Sequence, residues 1–321
     1  MYNFKHIEYD PFWYKQVAKE YEIQKPVGIS SPNSEIMAKQ AYSYTTNGYT
    51  KHDPLVFSDG YGPFLKDVDN NIFLDFGSGI HTASLGHAHP KIAEAISIEA
   101  KKLISCHNHI TPVKLAYFEK LIEACGNNFS NVHLYDNGST AVEMSIKAAR
   151  QITGKMDIIS CFSDHHGKTL GAASVGRVSH MKDFQRAPNF YMVPRPDPYH
   201  PIWINNNGSL DIDSYINFYD LFIKESTSGQ VAAFLLEPIQ GWKGTVVPPD
   251  DFFPKLKEFC VEKNILLISD EVLTGCGRTG KWFCLDHWGV KPDITLLGKG
   301  IGNGFPLSAM LADGDCAESI S

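Results

Sequence analysis

Thr295-Leu-Leu-Gly-Lys-Gly-Ile-Gly-Asn-Gly-Phe-Pro306, with Ser269-Asp-Glu-Val-Leu-Thr-Gly-Cys-Gly-Arg-Thr-Gly280 upstream, is the stretch from which the fold is read. An apolar run, Ile265 to Ile268, delivers Asp270 at its end, and a second, Ile294 to Leu297, delivers Lys299 just past its own. The two residues are 29 positions apart (299 − 270), enough for one strand–loop–strand unit that returns the chain to the same sheet edge. In open α/β sheets ligands bind where strands end, so one acid and one amine are expected to face a single ligand. A lysine in that position can form a Schiff base with a carbonyl group, and an acid opposite suits a pyridinium nitrogen.

Working outward, further apolar runs occur at Val132 to Tyr135, Ile158-Ile159, Phe190 to Val193 and Val231 to Leu236. Helical patterns occupy Pro90 to Leu103, Val113 to Cys125, Ser139 to Thr153 and Phe252 to Lys263. Strand and helix alternating in this way predict a largely parallel sheet flanked by helices. Upstream, Leu55 to Phe76 reads as short antiparallel strands broken at Asp59-Gly60 and at Asp69-Asn70-Asn71. Residues 1–50 read as an arm, and Tyr191 to Gly208, rich in Pro and Asn, as a long surface loop. The texture changes at Gly77, dividing an N-terminal segment, 1–76, from a larger α/β domain, 77–321.

Four further segments follow apolar runs. Asn137-Gly-Ser-Thr140 is either a phosphate cradle, with Gly138 and Ser139 at a helix N-terminus, or a plain cap by Ser139 or Thr140. In Phe162-Ser-Asp-His-His-Gly-Lys-Thr169, His165 is placed to lie flat on a ring and Lys168 to meet an anion. The bland alternative is a pair of loop histidines with structural hydrogen bonds. Glu237-Pro-Ile-Gln240 puts an acid at a buried strand end, where it needs a partner: a cofactor group, Arg278 or a loop N–H. His166-Gly-Lys-Thr169 mimics the end of a P-loop, but Phe162 stands where that motif needs Gly. No paired Cys/His spacing supports zinc, so no metal is expected.

Composition excludes other classes. With 43% hydrophobic and 20% charged residues in 321, the chain is of ordinary globular type. Its net charge of −7 gives no electrostatic case for nucleic acid or an anionic membrane. Seven scattered cysteines read as free thiols in a reducing compartment. Neither a signal peptide nor a bilayer-spanning run is visible, so a cytoplasmic protein is expected.

Together these segments resemble the class III aminotransferases, of the fold type I pyridoxal-phosphate-dependent superfamily. Leu74-Asp-Phe-Gly-Ser-Gly-Ile80, Leu85-Gly-His-Ala-His-Pro90 and Glu237-Pro-Ile-Gln240 match early and middle motifs of that family, and Asp270 to Leu307 carries the most specific part. The resemblance implies a Schiff base of pyridoxal phosphate to Lys299, Asp270 on the pyridine nitrogen, and the phosphate held by Gly138 and Ser139. It further implies His165 and Val272 on the two ring faces, Glu237 beside the cofactor, and Ile80, Lys168 and Trp242 toward substrate. The implied reaction is transamination of an amino acid or ω-amine donor with a keto-acid acceptor, in a homodimer. A racemase or epimerase of the same family would use the same Lys299 and Asp270. The chain departs from the family at several positions. His165 replaces the usual Tyr, Phe or Trp, Lys168 a common Arg, Trp242 a gating Glu, and Leu273 a common Gln. Members continue for roughly another hundred residues past the lysine motif, so the resemblance also implies a missing C-terminal small domain. It leaves open a non-catalytic or partner-dependent fragment.

Overall fold

The computed structural model describes residues 30–44, 55–106, 109–126, 128–176, 186–314 and 316. Most of the arm expected over residues 1–50 therefore lies outside the described residues. Contacts divide the chain into two compact units, Met1–Leu115 and Ala116–Ser321, a later division than the change of texture at Gly77.

In the first unit, helix α1 (Pro32–Tyr44) precedes an antiparallel sheet of β1 (Phe57–Tyr61), β2 (Phe64–Asp67) and β3 (Ile72–Leu74), and helix α2 (Pro90–Lys102) follows. One expected break is absent. Asp59 and Gly60 lie inside β1, paired with Lys66 and Leu65, and the chain turns instead at Gly62, which takes φ +55°. Gly60 serves close approach rather than turning, since a Cβ there would lie 2.9 Å from the Cβ of His87. The second break holds. Asp67 Oδ1 accepts from the N–H groups of Asp69 and Asn71, and Asn70 supplies the positive φ between β2 and β3.

After helix α3 (Pro112–Ala124), the second unit is built on seven strands: β4 (Asn131–Tyr135), β5 (Asp157–Cys161), β6 (Phe190–Val193), β7 (Val231–Leu236), β8 (Leu266–Asp270), β9 (Ile294–Leu297) and β10 (Ser308–Ala312). Their order is β4-β10-β9-β8-β7-β5-β6. Strands β6, β5, β7, β8 and β9 pair in parallel, while β10 runs antiparallel to both β9 and β4. Six strands thus share one direction, and the ends of β4, β5, β7, β8 and β9 open on the same edge. Every residue of β7 is buried, the continuous apolar run that a strand covered on both faces requires. Helices α4 (Gly138–Thr153) and α5 (Leu170–Val175) cover one face, with Ala141, Val142, Ile146, Ala149, Ala172 and Val175 in one cluster with Ile158, Leu235, Ile268 and Leu296. On the other, α6 (Ile212–Ser226) and α7 (Phe252–Glu262) bring Tyr215, Tyr219, Phe252, Phe253 and Leu256 against Phe234 and Leu267. Each fully buried side chain of this size contributes roughly 1.5–3 kcal/mol over its exposed state.

Two glycines fix how closely the strand ends approach. A Cβ on Gly298 would lie 2.9 Å from Val272 Cγ1, and one on Gly138 would lie 3.0 Å from the same atom. Val272 is therefore held between the β4–α4 turn and the end of β9. Gly298 has an ordinary extended backbone, so its replacement is a purely steric insult. Gly298→Ala is expected to cost about 1–3 kcal/mol, the usual penalty for overpacking. Urea denaturation should show that loss, and Val272→Ala in the same chain should recover most of it.

Candidate active site

Five residues picked from the sequence stand at that common edge because five strands end there. Asp270 is the last residue of β8, paired across the parallel ladder with Leu296, three residues before Lys299. Glu237 follows β7, His165 lies in the loop after β5, and Gly138 opens α4 after β4.

The helix start has a cap that the sequence reading did not name. Asn137 is the cap, its Oδ1 accepting from the Thr140 N–H at 2.9 Å, so neither Ser139 nor Thr140 caps the helix. The Ser139 hydroxyl instead meets the loop after β5, accepting from the Lys168 N–H at 3.2 Å. Gly167, at φ +137°, permits that approach, because a Cβ there would sit 2.3 Å from Ser139 Oγ. Gly167→Ala is expected to push Ser139 aside and weaken binding of a phosphorylated ligand. Equilibrium titration with pyridoxal phosphate should show at least about a tenfold rise in Kd, the loss of roughly one charge-assisted hydrogen bond.

Glu237 is buried, and loop N–H groups are its partners: His165 N–H at 2.7 Å on Oε1 and Gly241 N–H at 3.2 Å on Oε2. Burial, reinforced by Asp164 and Asp270, raises its pKa to about 7. His165 is pushed the other way, down to about 4, by burial and by the positive charge of His166 and Lys299. Its ring is therefore neutral at physiological pH, and Nδ1 is buried with no hydrogen-bond partner among the described residues. Lys299 sits in the left-handed region at φ +45°, a strained position for a residue with a Cβ. Burial lowers its pKa, opposed by the carboxylates of Asp270 and Glu237. Its ammonium makes no hydrogen bond or ion pair with the described residues.

The substrate candidates differ in their surroundings. Lys168 is exposed, and its backbone rather than its ammonium is engaged. Trp242 is half exposed, with its ring 5.1 Å from that of His165 at 58°. Ile80 belongs to the first unit, where it is exposed and lies in a left-handed run from Ser78 to His81.

The sequence reading did not assign His166, Asp164 or Arg195. His166 is buried, with Nδ1 2.7 Å from Asp270 Oδ2. Burial lowers its pKa, but the carboxylates of Asp164 and Asp270 outweigh this and raise it to about 10. Arg195, also buried, donates to the carbonyls of Glu237 and Pro238, which pins the turn carrying Glu237. A usable signal existed for His166. Adjacent residues in an extended segment point opposite ways, so if His165 faces a ligand then His166 faces the strand ends. The acid beside Asp270 has a separate task. Glu271 turns inward to accept from the Cys284 and Leu285 N–H groups, and burial raises its pKa to about 7.

An amine with a lowered pKa, a buried carboxylate bonded to imidazole, and a helix that opens with Gly138 lie around one edge. The model of the aminotransferase class-III family matches residues 45–321, and the chain belongs to that family. It is 37% identical over 318 residues to an alanine/serine racemase of Pyrococcus horikoshii, covering 94% of this chain and 66% of the relative. It is 36% identical over 261 residues to an acetylornithine aminotransferase of Methanosarcina mazei, covering 81% and 60%. Among solved structures, an amine transaminase from an uncultivated Pseudomonas species in its pyridoxal-phosphate-bound form superposes with a TM-score of 0.77. It is 28% identical and covers 93% of this chain and 68% of that one. The taurine:2-oxoglutarate aminotransferase of Bifidobacterium kashiwanohense, in complex with the cofactor and glutamate, gives 0.80 at 25% identity, covering 90% and 67%. The chain thus spans about 60 to 66% of the length of these curated relatives.

The cofactor of the family is pyridoxal phosphate, and the residues present fit it. Lys299 offers an amine whose pKa burial lowers, Asp270 a buried carboxylate, and Gly138 and Gly298 a close approach to Val272 that a Cβ would block. Among the described residues no helix is long and apolar enough to cross a membrane.

Proposed function

We propose that this chain carries the catalytic machinery for pyridoxal-phosphate-dependent transamination of an amino acid or ω-amine with a keto-acid acceptor, acting as a homodimer. The observation that carries the reading is the convergence of Lys299 and Asp270 on one edge, with an amine whose pKa burial lowers and a carboxylate held by His166. When bound, the cofactor supplies an electron sink for the substrate carbon that bears the amine. In this reading Gly138 and Ser139 hold the phosphate, His165 and Val272 cover the ring faces, and Asp270 accepts a hydrogen bond from the ring nitrogen. Glu237 holds the His165 backbone in place. Lys299 is both the attachment point and the base: burial shifts its amine toward the neutral form, so that Nζ can remove a proton from the substrate carbon.

The likeness to an alanine/serine racemase favours a second reading with the same residues. A racemase returns the proton to the carbon it left, whereas a transaminase does not. Loss of deuterium from the substrate α-carbon without keto-acid formation would select the racemase.

The first test is incubation with pyridoxal phosphate, reduction with borohydride and peptide mapping. A label confined to Lys299 supports the reading. A label scattered over surface lysines, or none, overturns it for this chain and favours a fragment that needs a partner.

A further inference from the structure

Behind Asp270 stands a second carboxylate that no step of the proposed reaction touches. Asp164 is fully buried in the loop after β5. Its Oδ1 accepts from Gln240 Nε2 at 2.6 Å and lies 3.6 Å from Arg195 Nη1. Its Oδ2 accepts from the Cys161 N–H at 3.0 Å and lies 3.6 Å from His166 Nε2, an ion-pair rather than a hydrogen-bond distance. The other ring nitrogen of His166 meets Asp270 at 2.7 Å. The order is carboxylate, imidazole, carboxylate, and it ends at Asp270.

We propose that Asp164 is a positioning residue: it keeps His166 as a doubly protonated imidazolium, which holds Asp270 in place as a hydrogen-bond acceptor for the cofactor ring.

A neutral imidazole carries one N–H and one lone pair. Between two carboxylates it would turn that lone pair on an anion, whichever tautomer it took. Only the imidazolium presents N–H to both. Burial works against the charge, but the two carboxylates outweigh it, which is why His166 rises to about 10. Asp164 is offset in turn by Gln240 and by the nearby guanidinium of Arg195, which is itself buried. The other titratable groups facing His166 are His165, uncharged with its pKa near 4, Glu237 and, through His165 and Asp270, Lys299. None of these supplies a second contact to the ring. Without Asp164, His166 would satisfy Asp270 through Nδ1–H as a neutral ring, and the positive charge behind Asp270 would vanish. A cofactor ring nitrogen hydrogen-bonded to Asp270 would then have no charge behind its acceptor. That last consequence rests on the cofactor reading above, whereas the charge state of His166 does not.

The experiment is a pH titration of the histidine-labelled chain, without cofactor, by NMR, with the His166 signal assigned through His166→Gln. In the unaltered chain His166 is expected to remain imidazolium from pH 6 to 9. Asp164→Asn should lower its midpoint by about 1–3 units, the usual effect of one adjacent charge. In the cofactor-loaded protein the same variant should give the visible band a pH midpoint that the unaltered chain lacks. A His166 midpoint below pH 8 in the unaltered chain overturns the proposal even where Asp164→Asn does not fold. A midpoint that Asp164→Asn leaves unmoved overturns it too. Failure of the cofactor reading shows separately, as absence of label at Lys299 with the His166 titration intact.

Discussion

Lys299→Ala is expected to abolish the borohydride-fixed label while leaving the chain as stable as before, or slightly more so. The two readouts part because of what Lys299 does in the folded chain. Its side chain is largely buried, its backbone is left-handed at φ +45°, and its ammonium makes no hydrogen bond or ion pair with the described residues. Burial lowers its pKa below the unfolded value of 10.5. A cation with a lowered folded pKa weakens the native state near neutral pH, since protonation is the easier in the unfolded chain. Removing it deletes that cost. Turnover of an amine donor, followed as keto acid formed, should fall by about 10⁴-fold, the upper end of what a positioned general base supplies. Lys299→Arg keeps a positive charge but cannot form the covalent bond, so it should lose the label as completely. A variant that loses label and melting temperature together would mean that Lys299 is a structural residue.

How much of this was visible beforehand depends on the kind of force involved. The parallel strands were legible because burial on both faces leaves a continuous apolar run, as in Val231 to Leu236, that no loop would carry. The edge residues were legible for a related reason. Polar groups directly after such runs, Glu237, Asp270 and Lys299, need partners at the strand ends, which are loop N–H groups for Glu237 and the His166 ring for Asp270. β10 escaped notice because Ser308 to Ala312 follows a glycine-rich turn that had already been given a role, and nothing local marks its antiparallel pairing with both β4 and β9. Helix α6 was hidden by the Pro- and Asn-rich stretch before it, although Asp211 caps it through the Ser214 N–H. The charged network behind the edge was illegible for a deeper reason. Arg195 lies 31 residues past Asp164 (195 − 164), and Asp270 lies 104 past His166. Only the folded sheet brings them together, and no spacing rule encodes it.

The second large effect is expected at Asp270 and should be read first without cofactor. Asp270→Ala removes one side of a buried ion pair and leaves His166 facing the gap with its charge. Breaking such a pair typically costs about 3–5 kcal/mol, on the order of 10 °C in melting temperature for a unit of this size. The pH dependence identifies the cause. His166 has a folded pKa raised from 6.5 to about 10, so its stabilising contribution is fully present below pH 6.5 and is lost as pH rises through 10. The gap in melting temperature between the unaltered chain and Asp270→Ala should therefore be widest near pH 6 and narrow toward pH 10. Glu237 adds a contribution of the same sign to the unaltered chain. Its pKa is raised from 4.5 to about 7 by burial and by Asp164 and Asp270, so stability is lost as pH rises through 7. Without Asp270, Glu237 ionises more readily and that loss moves to lower pH. Asp270→Asn should fall between the two. Its carbonyl can still accept from the Val272 N–H, at 3.1 Å in the unaltered chain, but its amide opposes an N–H on His166 Nδ1. A gap that stayed constant from pH 6 to 10 would show that His166 is not charged in the folded chain, and the destabilisation would then be loss of packing alone.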